Sequence, residues 1–182
     1  MMRSRSFFSK RQRGSFAIEL AFVLVALCSI FLFSTDLSHK LLVRAKLDRS
    51  SFALSNVIKE RTRYFESDIA AQEKLDVTQS DLEGLINVAS RMLNTETSNV
   101  AIQIESMTNA SNITLVKSQK FDDFGCNVDN FDNFSDLAPH DGGVIYPLYR
   151  VSLCEVHDSW FEAFFGDSAS MAIVSSSIMP GR

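Results

Sequence analysis

The sequence predicts an α+β protein in which a long N-terminal helix carries a small antiparallel sheet. Three observations lead to this fold class: an apolar run near the N-terminus, helical spacing of apolar residues as far as residue 94, and alternating apolar residues after residue 100. Spacings of three and four indicate amphipathic helices, whereas alternation is typical of strands that bury one face. Helices packed on an antiparallel sheet are the simplest arrangement of these elements.

The apolar run at residues 16–33 is long enough to cross a membrane. Glu19 and Ser29 are its clearly polar members, and as a helix its 18 residues cover about 27 Å, close to the roughly 30 Å of a bilayer core. Residues 1–14 contain five basic residues and no acidic residue. Because such a positive cluster stays in the cytoplasm, we expect one membrane pass that exports everything after about Asp36.

A cleaved secretory signal is the plainer alternative for the same run. Such a signal normally has an apolar region of about 7–15 residues and ends at a small-x-small cleavage site. Residues 16–33 are longer and continue into FSTDLSHKLL without an Ala-x-Ala pattern. The sequence therefore favours a retained membrane anchor.

The charge of the remaining chain argues against one class of partner. The 182 residues include 18 basic and 22 acidic residues, so without the five basic residues of the head 13 basic residues stand against 22 acidic ones, a net charge of −9. Such an acidic domain is unsuited to binding nucleic acid. The length fits one exported domain with a membrane segment.

Helical spacing continues beyond the apolar run. No Pro or Gly interrupts residues 15–66, and we therefore predict one long helix whose second half packs on a globular domain. Four apolar residues share the stripe that would face this domain: Leu47, Leu54, Ile58 and Phe65. A second helix is predicted over residues 81–94, because SDLE at residues 80–83 has the form of a capping box.

Strands are predicted in the second half of the chain. Apolar residues alternate over residues 100–104, NASN at 109–112 supplies turn residues, and ITLVKS resumes the strand, which indicates a hairpin. Two more strands are predicted at 144–154 and 170–179, with Pro147 marking an edge or a bulge. About four antiparallel strands result.

A short helical turn, DSWFEAFF, is predicted between the last two strands, with Asp158 as its cap. We interpret its aromatic side chains as core or interface anchors: Trp160, Phe161, Phe164 and Phe165. HDGG at residues 140–143 and VHDSW at 156–160 bring His next to Asp or Ser, but adjacent residues rarely converge as a catalytic set. No nucleotide, hydrolase or zinc-protease motif occurs, so the sequence predicts neither an enzyme nor a cofactor.

The three cysteines divide between two environments. Cys28 lies in the apolar run, whereas Cys126 and Cys154 lie in the exported part, where disulfides are permitted. We favour a Cys126–Cys154 disulfide, which would close a loop of about 28 residues and contribute about 3 kcal/mol. Two unpaired buried thiols are the alternative.

The segment FDDFGCNVDNFDNFSD at residues 121–136 is rich in Asp and Asn. Its carboxylates offer calcium candidates at Asp129, Asp132 and Asp136. The spacing does not match an EF-hand, and Asp and Asn are also turn residues. A solvated loop, anchored through its cysteine and Phe side chains, is the favoured interpretation and predicts no metal; a contact surface for another subunit is a further alternative.

The order of features from Lys10 to Phe33 resembles the N-terminus of the type IV prepilin superfamily. In such proteins a basic leader ends in Gly, a dedicated membrane peptidase cuts after it, and the fifth mature residue is Glu at the head of an apolar helix. Here Gly14 is the last leader residue, Ser15 the first mature residue and Glu19 the fifth. The resemblance implies that Glu19 serves assembly by pairing with the α-amino group that cleavage creates.

Within that superfamily, RGSFAIELAFVL looks like the short-leader TadE and TadF proteins, the minor pseudopilins of the tight-adherence (Tad, or Flp) pilus machinery. The two-cysteine exported domain and the ending SSSIMPGR are similar to TadF in particular. The resemblance implies a pilin-like fold with a leader at residues 1–14, a transmembrane part at 15–35 and an exported α+β domain at 36–182.

A non-catalytic minor pseudopilin needed for assembly of an adhesive pilus is the function that this resemblance implies. The implied partners are the prepilin peptidase, a companion TadE-like pseudopilin, the major Flp pilin and the inner-membrane assembly platform. The implied location is a single pass through the inner membrane, with the N-terminus cytoplasmic, the domain periplasmic and incorporation into the extracellular pilus left open. An uncleaved membrane-anchored sensor or ligand-binding domain is the alternative from a different class.

Overall fold

The computed structural model describes residues 13–60, 75–109, 112–141, 143–164, 166 and 170–181. Over these residues the helices and strands follow one another as α1 (Arg13–Glu60), α2 (Gln79–Leu93), β1 (Ala101–Asn109), β2 (Asn112–Lys117), α3 (Gln119–Asp123), β3 (His140–Asp141), β4 (Val144–Ile145), β5 (Leu148–Asp158), α4 (Trp160–Phe164) and β6 (Ser170–Pro180). A 3-10 helix at Phe131–Leu137 precedes β3. The predicted long helix is confirmed as far as Glu60; the remainder of its predicted span lies outside the described residues.

The sheet contains four antiparallel strands in the order β2-β1-β5-β6. β1 pairs with β2 on one side and with β5 on the other, and β5 pairs with β6 along its whole length. The short strands β3 and β4 form a separate two-stranded ribbon. The prediction of an α+β fold with an antiparallel sheet is therefore confirmed.

One face of the sheet buries the main core against α1 and α2. Alternate residues of β1 and β5, such as Ile102, Ile104 and Val151, point to this face and are fully buried. Helix α1 contributes part of the predicted stripe, since Leu47, Leu54 and Ile58 are buried in the same cluster. The fourth predicted member, Phe65, lies outside the described residues. This packing ties the second half of α1 to the domain.

A row of hydroxyl groups joins α1 to the edge strand β6. Ser51 Oγ lies 3.2 Å from Ser175 Oγ and 2.9 Å from Ser177 Oγ, and Ser55 Oγ donates to the Ser177 carbonyl oxygen at 3.0 Å. Ser175 Oγ in turn donates to a carboxylate oxygen of Asp48. Because hydrogen bonds are directional, this seam fixes the rotation and height of α1 on the sheet.

Two sequence predictions about helix and strand starts are wrong by a few residues. The capping box of α2 uses Thr78 and Asp81 rather than Ser80 and Glu83, because Thr78 is the residue with extended backbone and Ser80 already lies in the helix. The strand predicted at 144–154 is interrupted around Pro147, which has no N–H to donate. Its first two residues form β4, and β5 starts at Leu148.

Candidate assembly site

The first part of α1 presents an apolar surface that the domain does not cover. Large side chains from Phe16 to Phe33 are exposed, and this helix is long and apolar enough to cross a membrane, with a mean hydropathy of 2.6 over its most apolar window. Ser29 donates its hydroxyl to the Val25 carbonyl oxygen at 2.9 Å, which satisfies it within the helix. A single-pass membrane anchor accounts for this surface.

The predicted cleavage and assembly residues lie at the start of this surface. Gly14 and Ser15 fall in the first turn of α1, and Glu19 follows on an exposed position within the apolar run. A residue four positions after Ser15 lies about 6 Å further along the helix axis and on the same side. Ser15 and Glu19 are therefore one helical turn apart on the same side of α1.

A polar cluster, which the sequence analysis missed, marks the point where α1 leaves the apolar run. The buried carboxylate of Asp36 accepts a hydrogen bond from the Ser159 hydroxyl at 2.6 Å and from the backbone N–H groups of Trp160 at 3.1 Å and Phe161 at 2.7 Å. Asp36 thus caps the N-terminus of α4 from another helix. The predicted cap, Asp158, is wrong, since Asp158 ends β5 with its side chain exposed.

These hydrogen bonds stabilise the ionised form of the cap. The Ser159 hydroxyl holds the pKa of Asp36 below its usual value of 3.8, against the opposing effect of burial. The N–H groups of Phe161 and Trp160, and His157, lower this pKa further. Because the folded-state pKa lies below the unfolded one, the cap stabilises the fold above about pH 4 and loses this effect as the pH falls through the folded value.

Two histidines extend the cluster along α1. The rings of His39 and His157 stack with centroids 4.6 Å apart, and their Nδ1 atoms lie 3.1 Å from each other, so one nitrogen donates and the other accepts. The Nε2 atom of His157 is 3.8 Å from a carboxylate oxygen of Asp36, beyond hydrogen-bonding distance. The group joins α1, the end of β5 and α4 at one level of the molecule.

We predict that Asp36→Ala lowers the melting temperature of the full chain by a few degrees at pH 7, because the Ser159, Trp160 and Phe161 donors then lose their acceptor. The difference from the parent should shrink as the pH falls below about 4, where the parent carboxylate becomes protonated. Thermal melts in mild detergent over a pH series measure this. Asp158→Ala, next to the cluster but exposed, is the control and should melt like the parent; equal melting temperatures for Asp36→Ala would contradict the cap.

The second face of the sheet buries a charged pair. Glu105 on β1 lies opposite Arg150 on β5, and the guanidinium contacts one carboxylate oxygen through both Nε and a terminal nitrogen. Their side chains are 5% and 3% exposed. Phe131 and Phe134 cover the guanidinium, with its carbon 4.7 Å and 5.8 Å from the ring centroids. The pair therefore anchors the 3-10 helix of the 121–136 segment to the sheet.

A disulfide attaches the segment of residues 121–136 to the sheet at a second point. Cys126 and Cys154 are bonded, with Cα atoms 6.3 Å apart, and Phe121 is buried beside them. The predicted pairing is present. The segment is attached through Cys126 and its Phe side chains, but it is not simply a loop, because it contains the end of α3 and most of the 3-10 helix. Cys28 is a free, exposed thiol in the apolar run.

The calcium candidates do not form a ligand set. Asp129, Asp132 and Asp136 are all exposed, and the backbone N–H of Asp132 bonds to the side chain of Asn130, which caps the 3-10 helix. Across the described ranges no three His, Cys, Asp or Glu side chains are grouped as a metal site would require. The structure gives the Asp- and Asn-rich pattern a role in turns and caps.

These features define a class: a membrane-anchored, pilin-like protein whose N-terminal helix has an exposed apolar half and a half packed on an antiparallel sheet. The model of the TadF family, described as "Putative tight adherence pilin protein F", matches residues 7–182. The chain belongs to the TadF family of Tad pilus minor pilins, as the resemblance implied. Comparisons with curated proteins and with solved structures find no match. Membership indicates a pilus-associated, structural role.

Proposed function

We propose that this chain is a non-catalytic minor pseudopilin that is required to assemble a Tad/Flp-type adhesive pilus. The observation that carries the proposal is the position of Glu19: an acidic residue on the exposed apolar half of α1, five places after Gly14, in a member of the TadF family. A carboxylate within hydrocarbon costs on the order of 3 kcal/mol on insertion scales. A role in assembly, as in the superfamily that the N-terminus resembles, accounts for an acid in that position.

Processing creates a positive charge with which Glu19 pairs in the proposed mechanism. The prepilin peptidase cuts the peptide bond after Gly14 at the cytoplasmic side, where the basic leader of residues 1–14 is held. The cut leaves a charged α-amino group on Ser15, which pairs with Glu19 of the same chain or of a neighbouring subunit. Pairing between subunits offsets the cost of two charges in lipid and sets the axial register of adjacent helices.

The proposed location follows from the same helix. Residues 15–35 cross the inner membrane with the N-terminus in the cytoplasm, and the domain of residues 36–182 lies in the periplasm, where the Cys126–Cys154 disulfide can form. The proposed partners are a companion TadE-like pseudopilin, the major Flp pilin and the inner-membrane assembly platform. The exposed apolar surface of α1, which includes Phe22 and Phe31, supports contacts with their membrane helices.

The test is the intact mass of the chain expressed with and without its cognate prepilin peptidase. We expect a product that begins at Ser15 in the presence of the peptidase and the full-length chain in its absence. Gly14→Ala should abolish most of the processing, because the leader ends in Gly in the superfamily that this N-terminus resembles. Gly84→Ala is the matched control, since Gly84 is exposed on α2 and an added Cβ meets no atom within 4 Å.

Three results would contradict the proposal or its assigned cleavage site. A chain that stays intact with active peptidase would indicate an uncleaved anchored protein, such as a sensor. A cut beyond Phe33 would indicate a secreted protein that has lost its apolar run. Processing of Gly14→Ala at the parental rate would also contradict the assigned site.

A further inference from the structure

Helix α4 is fixed beside the end of the apolar run. Asp36 on α1 accepts the backbone N–H groups of Trp160 and Phe161, as described above. The ring of Phe161 also meets the ring of Phe33 edge to face, with centroids 5.7 Å apart. Because Phe33 is the last residue of the apolar run, these contacts hold α4 at the level where α1 leaves it.

The outer side of α4 exposes two large aromatic side chains. Trp160 is 65% exposed and Phe164 is 56% exposed. Residues four positions apart lie on the same face of a helix, so the two form one aromatic surface. Both belong to the domain rather than to α1, and an exposed apolar surface of this kind marks a contact with another apolar phase or molecule.

The depth of this surface matches the edge of a bilayer. A helix from Phe16 to Phe33 spans about 27 Å, and Asp36 lies about 4.5 Å further along the axis. With a hydrocarbon core of roughly 30 Å, the level of Asp36 and α4 is where hydrocarbon gives way to headgroups. Trp is enriched at that level because its ring is apolar and its indole N–H is polar.

We propose that α4 is a membrane-interface anchor, with Trp160 and Phe164 lying in the headgroup region of the leaflet on the domain's side. Continuity with the apolar run favours lipid over a protein partner, since Phe161 packs directly on the last residue of that run. The domain is then held to the membrane surface at two points, the end of α1 and α4. The inference rests on the membrane anchor and is independent of cleavage or pilus assembly.

Trp160 makes the proposal directly measurable, because it is the only tryptophan in the sequence. The full, uncleaved chain is reconstituted at high dilution into phosphatidylcholine/phosphatidylglycerol vesicles containing lipids brominated at shallow or deep acyl positions. We expect a blue-shifted emission and quenching by the shallow bromines that exceeds quenching by the deep bromines by at least about twofold. Aqueous iodide should quench it weakly.

A relocated tryptophan provides the matched control. The variant Trp160→Phe with Leu115→Trp places the fluorophore on an exposed position of β2, at the opposite edge of the sheet from β6. Its emission should be quenched by iodide and not by brominated lipid. This comparison distinguishes insertion of α4 into the lipid from a position of the whole domain close to the vesicle surface.

Two outcomes would overturn the proposal. Quenching of Trp160 by iodide as strong as that of the relocated tryptophan would show that α4 lies in water. Protection from both iodide and brominated lipid would show that protein covers it, as a second copy of the chain would. No peptidase is present in these vesicles. The quenching by iodide and by brominated lipid is therefore expected to be the same whether or not the cleavage proposal is correct.

Discussion

Replacing Glu19 by Ala is expected to leave processing intact and to reduce the number of assembled pili by at least about tenfold. A lost interaction of only about 1.4 kcal/mol lowers an association constant tenfold, and a pair of charges in lipid is worth at least that. Failure to enter the membrane cannot cause the loss, because removing an acid from the run favours insertion. Pili are counted by electron microscopy in cells whose own copy is replaced by the variant.

Two further variants separate the charge of Glu19 from its shape and position. Glu19→Gln keeps the size of the side chain and removes its charge, so it should be as defective as Glu19→Ala. Leu20→Ala truncates the neighbouring exposed apolar residue of the same run and should reduce the number of pili far less than Glu19→Ala does. Parental piliation with Glu19→Ala would remove the assigned role, even if the chain is cleaved after Gly14.

Replacing Arg150 by Met is expected to lower the free energy of unfolding by about 3–5 kcal/mol, because it leaves the Glu105 carboxylate buried without its partner. The loss should include loosening of the 3-10 helix, since Phe131 and Phe134 both cover the guanidinium. The free energy of unfolding is measured by urea denaturation of the full chain in mild detergent, with the emission of Trp160 as the readout. The disulfide is kept oxidised throughout.

The double variant Glu105→Leu with Arg150→Met is the control for this experiment. It removes both charges and fills the site with apolar side chains, a change that is often neutral or stabilising for a buried pair. We expect it to recover most of the stability that Arg150→Met loses. If the single variant is as stable as the parent, the pair contributes nothing measurable; if the double variant is no better than the single one, the loss comes from packing and not from an unpaired charge.

Sequence patterns predicted the features that depend on residues close together in the chain. Helical spacing identified α1 and α2, alternation identified the strands, and the position of Glu19 relative to Gly14 identified the family. Local signals were less reliable at the starts of elements. Thr78 and Ser80 are both suitable caps, each followed three residues later by an acidic residue, and only the backbone conformation distinguishes them.

The features that the sequence analysis missed depend on residues far apart in the chain. Asp36 meets Ser159 across 123 residues, and nothing near either residue announces the contact. The Glu105–Arg150 pair exists only because the register of β1 and β5 places the two opposite each other. Glu105 and Arg150 lie on the strand faces opposite the apolar residues of the main core, where alternation predicts exposure, so the pattern carries no sign that this pair is buried.

The row of hydroxyl groups between α1 and β6 has a consequence for the order of events during folding. Ser51 and Ser175 are 124 residues apart, so the hydrogen bonds that position α1 on the sheet can form only after β6 is available to pair. Contacts of such long sequence separation form late, after the loop-closure entropy has been paid. Apolar packing on α2, β1 and β5 can hold α1 against the domain before then, but the rotation and height of α1 on the sheet are fixed only when β6 is in place.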